Sequence, residues 1–316
     1  MGRLTMRHPV VRISHSGVAR RPDALAVEEP MELRVDGRAL AVTMRTPGAD
    51  VELAHGFLLT EGVITATADV LTARYCNSVD AAGHNTYNVL DVALAGHVPA
   101  PTTDLKRNFY STSSCGVCGK ASLEAVRTCT AFPPYRDQVV VSPETLAALP
   151  DALRAAQRVF DTTGGLHAAG LFDADGSLLA AREDVGRHNA VDKVLGWAML
   201  AGRVPATGCI LMVSGRTSFE LVQKAAMAGV PVLAAVSAPS SLAVELAEEA
   251  GVTLIGFLRG SSMNLYAHAG RVRTRDLPAP DRLGDPPGRG PINDEQFRAR
   301  PNASIGRSGA GHIAVD

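Results

Sequence analysis

The chain is poor in aromatic side chains, which make up 4% of its 316 residues and include a single tryptophan. That scarcity argues against a platform on which single-stranded bases stack, because stacking needs ring faces. Neither sign of charge dominates: 31 Lys and Arg stand against 32 Asp and Glu, for a formal net charge of −1. The balance does not indicate a broadly basic face for nucleic acid, while leaving room for a local basic pocket. No segment approaches the roughly 18 consecutive apolar residues of a membrane helix. Arg20-Arg21 is a twin arginine, but the Pro22–Glu29 segment behind it is short and acidic rather than apolar. The expectation is therefore a cytoplasmic protein with no membrane and no nucleic-acid partner. Cysteine is also sparse, five in all. In a reducing compartment these read as free thiols, metal ligands or catalytic groups rather than disulfides.

Hydrophobic residues make up 46% of the chain, enough for a globular core, and its length suggests about two domains. Residues 1–25 are polar and Arg-rich and read as a flexible N-terminal arm. Met31–Val35 and Arg38–Met44 alternate apolar and polar residues around Asp36-Gly37, a strong hairpin signal. Asp50 is placed to cap a helix over Val51–Glu61, which Gly62 closes. Strands follow at Val70–Cys76 and Tyr87–Leu94. Residues 26–135 thus form a small α+β unit with a cysteine-bearing loop near its end, followed by a helix over Ala121–Cys129. From 136 to 274 the pattern changes. Ser142-Pro143-Glu144 starts a helix. Strand candidates lie at Leu166–Phe172, Leu178–Arg182, Ile210–Val213, Val232–Val236 and Val252–Phe257. Helices near His188–Ala201, Ser218–Ala228 and Leu242–Ala250 alternate with the later strands, which indicates βαβ units and a largely parallel sheet. The Asp173–Gly176 turn makes the first two strands an antiparallel hairpin, so the sheet is mixed. Residues 275–316 are rich in Pro and Gly and read as a disordered tail.

Ser113-Ser114-Cys115-Gly116-Val117-Cys118-Gly119-Lys120 is the most informative stretch. Its glycines permit tight turns and keep bulk away from both sulfurs. By contrast, Cys209 lies within an apolar run and reads as core. Spacing alone leaves four readings open: half a zinc site, a dithiol redox pair, an iron–sulfur half-site, or a nucleophilic thiol with a neighbour. Lys120 and a following helix N-terminus would favour a thiolate.

Two loops follow predicted parallel strands, Ser214-Gly215-Arg216-Thr217-Ser218 and Leu258-Arg259-Gly260-Ser261-Ser262. Ligands of open α/β sheets bind at the carboxyl ends of strands, and helix N-termini with hydroxyls and an arginine favour phosphate. In the dense polar run Glu183–Lys193, His188 and Asp192 lie one helical turn apart and can share a face. They are either a proton-handling pair or ordinary helix-start salt bridges. His167, beside a small-residue turn, reads as a structural histidine.

Five stretches in order resemble the FdhD/NarQ family: Phe57–Gly62, Cys115–Gly119, His167-Ala168-Ala169, Glu183–Lys193 and Asn264-Leu265-Tyr266. The resemblance covers about Glu29 to His268. It implies a sulfurtransferase that takes sulfur from a cysteine desulfurase as a cysteine persulfide. The sulfur then passes to the molybdenum of a bis-molybdopterin guanine dinucleotide cofactor destined for formate dehydrogenase. Carried over, Cys115 bears the persulfide, Cys118 is its neighbour, and Lys120 stabilises the anionic sulfur. Phe257, Leu258, Arg259, Gly260, Ser261 and Ser262 match the cofactor-binding stretch, with Arg216 sharing the work of the lone cation there. The family suggests a homodimer. It also suggests that residues 136–274 form a cytidine-deaminase-like, three-layer α/β/α domain with a mixed sheet. Deaminase chemistry is not carried over, because Ala169 stands where the His-x-Glu pattern has its acid. Two competing readings remain: a cofactor carrier without sulfur chemistry, and a metal or redox module built on Cys115 and Cys118.

Overall fold

A computed structural model describes residues 4–76, 87–101 and 130–274, which fall within one compact unit. The Cys115–Cys118 loop, the helix expected over Ala121–Cys129 and the tail 275–316 lie outside the described residues.

The chain opens with a hairpin. Thr5–Ser14 (β1) pairs antiparallel with Gly17–Ala26 (β2). This corrects the expectation of a flexible arm over residues 1–25. Val10, Val11, Ile13 and Val18 are β-branched and favour extended backbone. Gly17, at φ 118°, lets the chain reverse. The arginines between them masked the alternation.

The second hairpin forms where Asp36-Gly37 predicts it. Glu29–Val35 (β3) and Arg38–Arg45 (β4) pair around Asp36 and Gly37, both at positive φ. Val70–Tyr75 (β5) and Val89–Leu94 (β6) complete a four-stranded sheet in the order β4-β3-β6-β5, with β3 and β6 parallel. Met31, Leu33 and Val35 alternate into the core from β3. The helix Asp50–Thr60 (α1) follows, with Ala49 at its N-cap in the left-handed region. The expected Asp50 cap is therefore not made. The Arg45 guanidinium takes the Asp50 carboxylate instead, donating from Nε and Nη2 at 3.1 Å each.

Beyond the second described break, Pro143–Ala156 (α2) starts as predicted, with Ser142 Oγ accepting the Thr145 N–H at 3.1 Å. Arg158–Thr163 (α3) is a short helix that the sequence pattern does not reveal. The six-stranded sheet contains His167–Phe172 (β7), Leu178–Asp184 (β8), Ile210–Val213 (β9), Val232–Ala235 (β10), Thr253–Arg259 (β11) and Ser262–Ala267 (β12). Its order is β12-β11-β10-β9-β7-β8; β9, β10 and β11 are parallel, and the other pairings are antiparallel. The mixed sheet is thus as expected, with β12 as an added edge strand.

Arg187–Leu200 (α4), Phe219–Met227 (α5) and Ser241–Ala250 (α6) cover one face of this sheet, and α2 covers the other. Alternation along each strand divides the two cores. Leu211, Val213, Leu233 and Ala235 join the cluster under α4, α5 and α6. Ile210, Met212, Val232 and Ala234 join Leu146, Leu149 and Leu153 of α2. The result is the three-layer α/β/α arrangement. The first cluster also contains Met31, Leu33, Leu58 and Leu90. The segments 26–135 and 136–274 therefore have separate sheets but share one hydrophobic core.

The sharing is made by α1 lying against α4. A Cβ on Gly56 would overlap the carbonyl oxygen of Asp192, and a Cβ on Gly196 would overlap that of Glu52. Neither obstacle is a movable side chain tip. Gly56→Ala or Gly196→Ala should each cost about 1–3 kcal/mol or more in urea denaturation. Gly96→Ala, which meets no atom within 4 Å, should stay within about 0.5 kcal/mol of the parent.

Candidate functional site

The carboxyl ends of β9, β10 and β11 form one edge, and the three loops leaving it are tied together. Thr217 donates its N–H to Ala238 O at 3.2 Å and accepts from Ser240 N at 3.0 Å. Phe257 N donates to Ser237 O at 3.2 Å, and Arg259 Nε donates to Val236 O at 3.0 Å. The loop after β10 thereby joins the Ser214–Ser218 loop to the Phe257–Ser262 segment. Because β7 runs antiparallel to β9, its first residue, His167, reaches the same edge. Ser214 Oγ accepts the Ala168 N–H at 2.8 Å. Gly215 lies against the His167 ring, which a Cβ there would approach to 3.4 Å.

The Phe257–Ser262 segment is not the strand-to-helix loop that the sequence pattern suggests. Arg259 pairs with Ser262 in a β-hairpin turned at Gly260, φ 53°. No helix N-terminus follows it. Phe257, Arg259, Gly260, Ser261 and Ser262 are exposed, whereas the Leu258 side chain is fully buried in the cluster under α2. The Arg259 guanidinium lies 5.9 Å from the centre of the Phe257 ring, within cation–π range. The Ser214–Ser218 loop does lead into a helix, and Ser218, the N-cap of α5, makes no side-chain cap bond.

The Glu183–Lys193 run is largely consumed in holding the two sheets together. The two Glu183 oxygens accept the N–H groups of Val159 and Phe160 at 2.9 and 2.7 Å, capping α3. Asp184 is wholly buried and binds Lys193 Nζ at 2.7 Å. It also accepts from the N–H groups of Thr46 at 3.1 Å and Gly186 at 2.8 Å. Lys193 donates to Thr46 O at 2.8 Å, and Asn189 donates to Met44 O at 2.8 Å. Both Asp184 oxygens accept hydrogen bonds, and Lys193 has a carbonyl partner beside the carboxylate, the compensation that a buried ion pair requires.

The anticipated pair of His188 with Asp192 does not form a hydrogen bond. His188 Nε2 lies 2.7 Å from Glu220 Oε2. Asp192, deeply buried, takes Lys224 Nζ at 2.8 and 2.9 Å and the Thr60 hydroxyl at 3.0 Å. Burial alone would lower the Lys224 pKa, but Asp192 and Glu61 outweigh it and hold the ammonium charged. Glu61 is pushed up by burial, against the opposing pull of Lys224. Lys224 escaped the sequence reading. Its only signal is a lone cation among Leu221, Val222, Ala225 and Ala226 of an apolar helix face.

His167 is half-buried, and its pKa is lowered by burial and by the charges of Arg187, His188 and Arg216, with Asp184 opposing. Cys209 is buried, and burial raises its thiol to about 11, in keeping with a core residue. Cys115, Cys118 and Lys120 lie outside the described residues. Among the described residues no cluster of His, Cys, Asp and Glu could hold a metal ion, and no helix is long and apolar enough to cross a membrane.

A model of the FdhD/NarQ family matches residues 26–273. The chain belongs to the FdhD/NarQ family. Among its FdhD relatives, the sulfur carrier protein of Mycolicibacterium paratuberculosis is 61% identical over 269 residues, 85% of this chain and 99% of the relative. The sulfur carrier protein of Streptomyces coelicolor is 60% identical over 277 residues, 87% of this chain and 98% of the relative. A solved formate dehydrogenase accessory protein from Desulfotalea psychrophila shares the fold at a TM-score of 0.67 and 24% identity. The match covers 86% of this chain and all of that one.

Removing one member of a buried pair strands the other. Lys193→Met should therefore cost about 3–5 kcal/mol in urea denaturation. His167 takes up its proton at a lower pH in the folded chain than its unfolded value of about 6.5. Stability should accordingly fall as pH drops through that value, since the unfolded state then binds more protons. His167→Gln should lose less Tm than the parent between about pH 7.5 and 5.5.

Proposed function

We propose that this protein is a sulfurtransferase that carries sulfur from a cysteine desulfurase to the molybdenum of bis-molybdopterin guanine dinucleotide. The sulfurated cofactor then passes to formate dehydrogenase. The reading is carried by one observation: relatives about 60% identical across almost their whole length are named sulfur carriers, and this chain holds Cys115-Gly116-Val117-Cys118. The site of action is the cytoplasm, and the working form is a homodimer.

The chemistry is thiol–persulfide exchange. The Cys115 thiolate attacks the terminal sulfur of the donor's persulfide. The donor S–S bond breaks, the donor cysteine leaves as thiolate, and a persulfide forms on Cys115, with no net oxidation. Cys118 is the neighbouring thiol, and Lys120 offsets the charge of the anionic sulfur. Glycines on either side of Val117 let the loop present its sulfur to two partners in turn. The cofactor is the substrate of the second transfer. Its guanosine end is held by Phe257–Ser262, of which Leu258 contributes through backbone alone because its side chain is buried. Fixing that end places the molybdenum near the persulfide, so that transfer is effectively intramolecular.

Incubation of the protein with a cysteine desulfurase and L-cysteine should add about 32 Da, one sulfur atom, to the Cys115–Cys118 peptide in non-reducing mass spectrometry. Cys115→Ser should remove the adduct and abolish formate dehydrogenase activation while leaving the fold intact. An unmodified peptide, alongside a desulfurase that loads a control acceptor, would refute the proposal.

A further inference from the structure

The Phe257–Ser262 hairpin offers one guanidinium and no helix end, yet the same edge has arginines that make no hydrogen bond or ion pair among the described residues. Arg187 is the first residue of α4, a 14-residue helix with no side-chain cap and no acid in its first turn. Its Nε is shut off from water and has no hydrogen-bond partner. Among the described residues no carboxylate pairs with it. Thr217 is 1% exposed, and its hydroxyl is likewise without a partner. It stands one residue before the N-cap of α5, which also lacks a side-chain cap bond. Buried polar groups are almost always paired, so two unmet ones at a single edge need a cause.

The two helix starts are neighbours. His188 of α4 lies 2.7 Å from Glu220 and 3.4 Å from Ser218 Oγ, both at the start of α5. Of the nearby acids, Asp184 is paired with Lys193, and Glu220 is hydrogen-bonded to His188. Arg187 and Arg216 both bear on His167, whose titration senses them, and the charge of Arg187 is felt by Glu220 as well, although neither guanidinium makes an ion pair among the described residues. Two helix N-termini without a side-chain cap, the second with Glu220 in its first turn, and two guanidinium groups that make no ion pair among the described residues match a phosphate, which brings several acceptors and about two negative charges.

The geometry points to a second subsite between the starts of α4 and α5, centred on Arg187 with Arg216 and the Thr217 turn, that binds the diphosphate of the guanosine nucleotide. This rests on the cofactor-binding reading above and adds to it the residues that hold the phosphates. The Phe257–Ser262 hairpin, joined to the Thr217 turn through the loop after β10, is then left to the nucleoside end.

Equilibrium titration of the full chain with inorganic pyrophosphate, GDP and guanosine tests the assignment. The parent should bind pyrophosphate, and GDP should displace it. Arg187→Gln should weaken pyrophosphate and GDP by about ten- to a hundredfold, the loss of a charge-assisted hydrogen bond, with guanosine binding and Tm unchanged. Arg216→Gln, at an exposed position, should weaken both in the same direction and serves if Arg187→Gln fails to fold. Unchanged pyrophosphate affinity in a folded variant would overturn the subsite. So would pyrophosphate that GDP fails to displace, which would mark a site for free phosphate. Sulfur loading of Cys115, followed in the same samples, separates the two levels. Normal loading with no phosphate effect refutes the subsite alone, whereas a parent that neither loads sulfur nor binds GDP refutes the reading beneath it.

Discussion

The backbone contact between α1 and α4 is the constraint on which the rest of this molecule depends. Gly56 and Gly196 remove the side chains that would keep the helices apart, and each glycine faces a carbonyl of the other helix. At that distance the charged residues beside them are drawn out of water. Asp184 with Lys193, and Asp192 with Lys224, are the consequence. Each ion pair is costly to bury and is kept only because neighbouring hydroxyls, amides and carbonyls satisfy what remains. Thr46 and Thr60, both from the N-terminal segment, are among those partners. The two sheets are therefore held by polar specificity as well as by a shared apolar cluster.

That arrangement changes how the Glu183–Lys193 run is understood. A stretch so rich in acids, amides and cations has the look of a reaction centre. Most of it is a fastening: Glu183 caps α3, Asp184 and Lys193 grip Thr46, and Asn189 reaches the end of β4. With those partners occupied, Arg187 is left over. The same frame thus uses up most of the run's polar groups and leaves one guanidinium at the edge where the parallel strands end.

The edge itself follows from the sheet's topology. Three parallel strands end together, and the antiparallel β7 brings His167 to the same place. Loops distant in sequence are then close enough to exchange backbone hydrogen bonds, which makes them parts of one surface. FdhD relatives matched over almost their full length are named sulfur carriers.

Local patterns made much of the fold legible in the sequence. Asp36-Gly37 marked the first internal hairpin, Ser142-Pro143 marked α2, and the apolar runs at Ile210, Val232 and Val252 marked the parallel strands, because turn geometry and periodicity act over a few residues. The reading of Cys115 and Cys118 rests on residue type and neighbours alone, since both lie outside the described residues. The β1–β2 hairpin and β12 were hidden, as their strands carry little apolar alternation. Charge partners could not be read at all. Asp50 resembled a helix cap until Arg45 claimed it. Asp192 stood one turn from His188 yet pairs with Lys224, 32 residues further on. The sequence by itself determined which groups are present and where the strongly patterned strands and helices form. Only the tertiary structure decided which charges meet, because the energy of a buried charge depends on what packing brings to it and not on its neighbours along the chain.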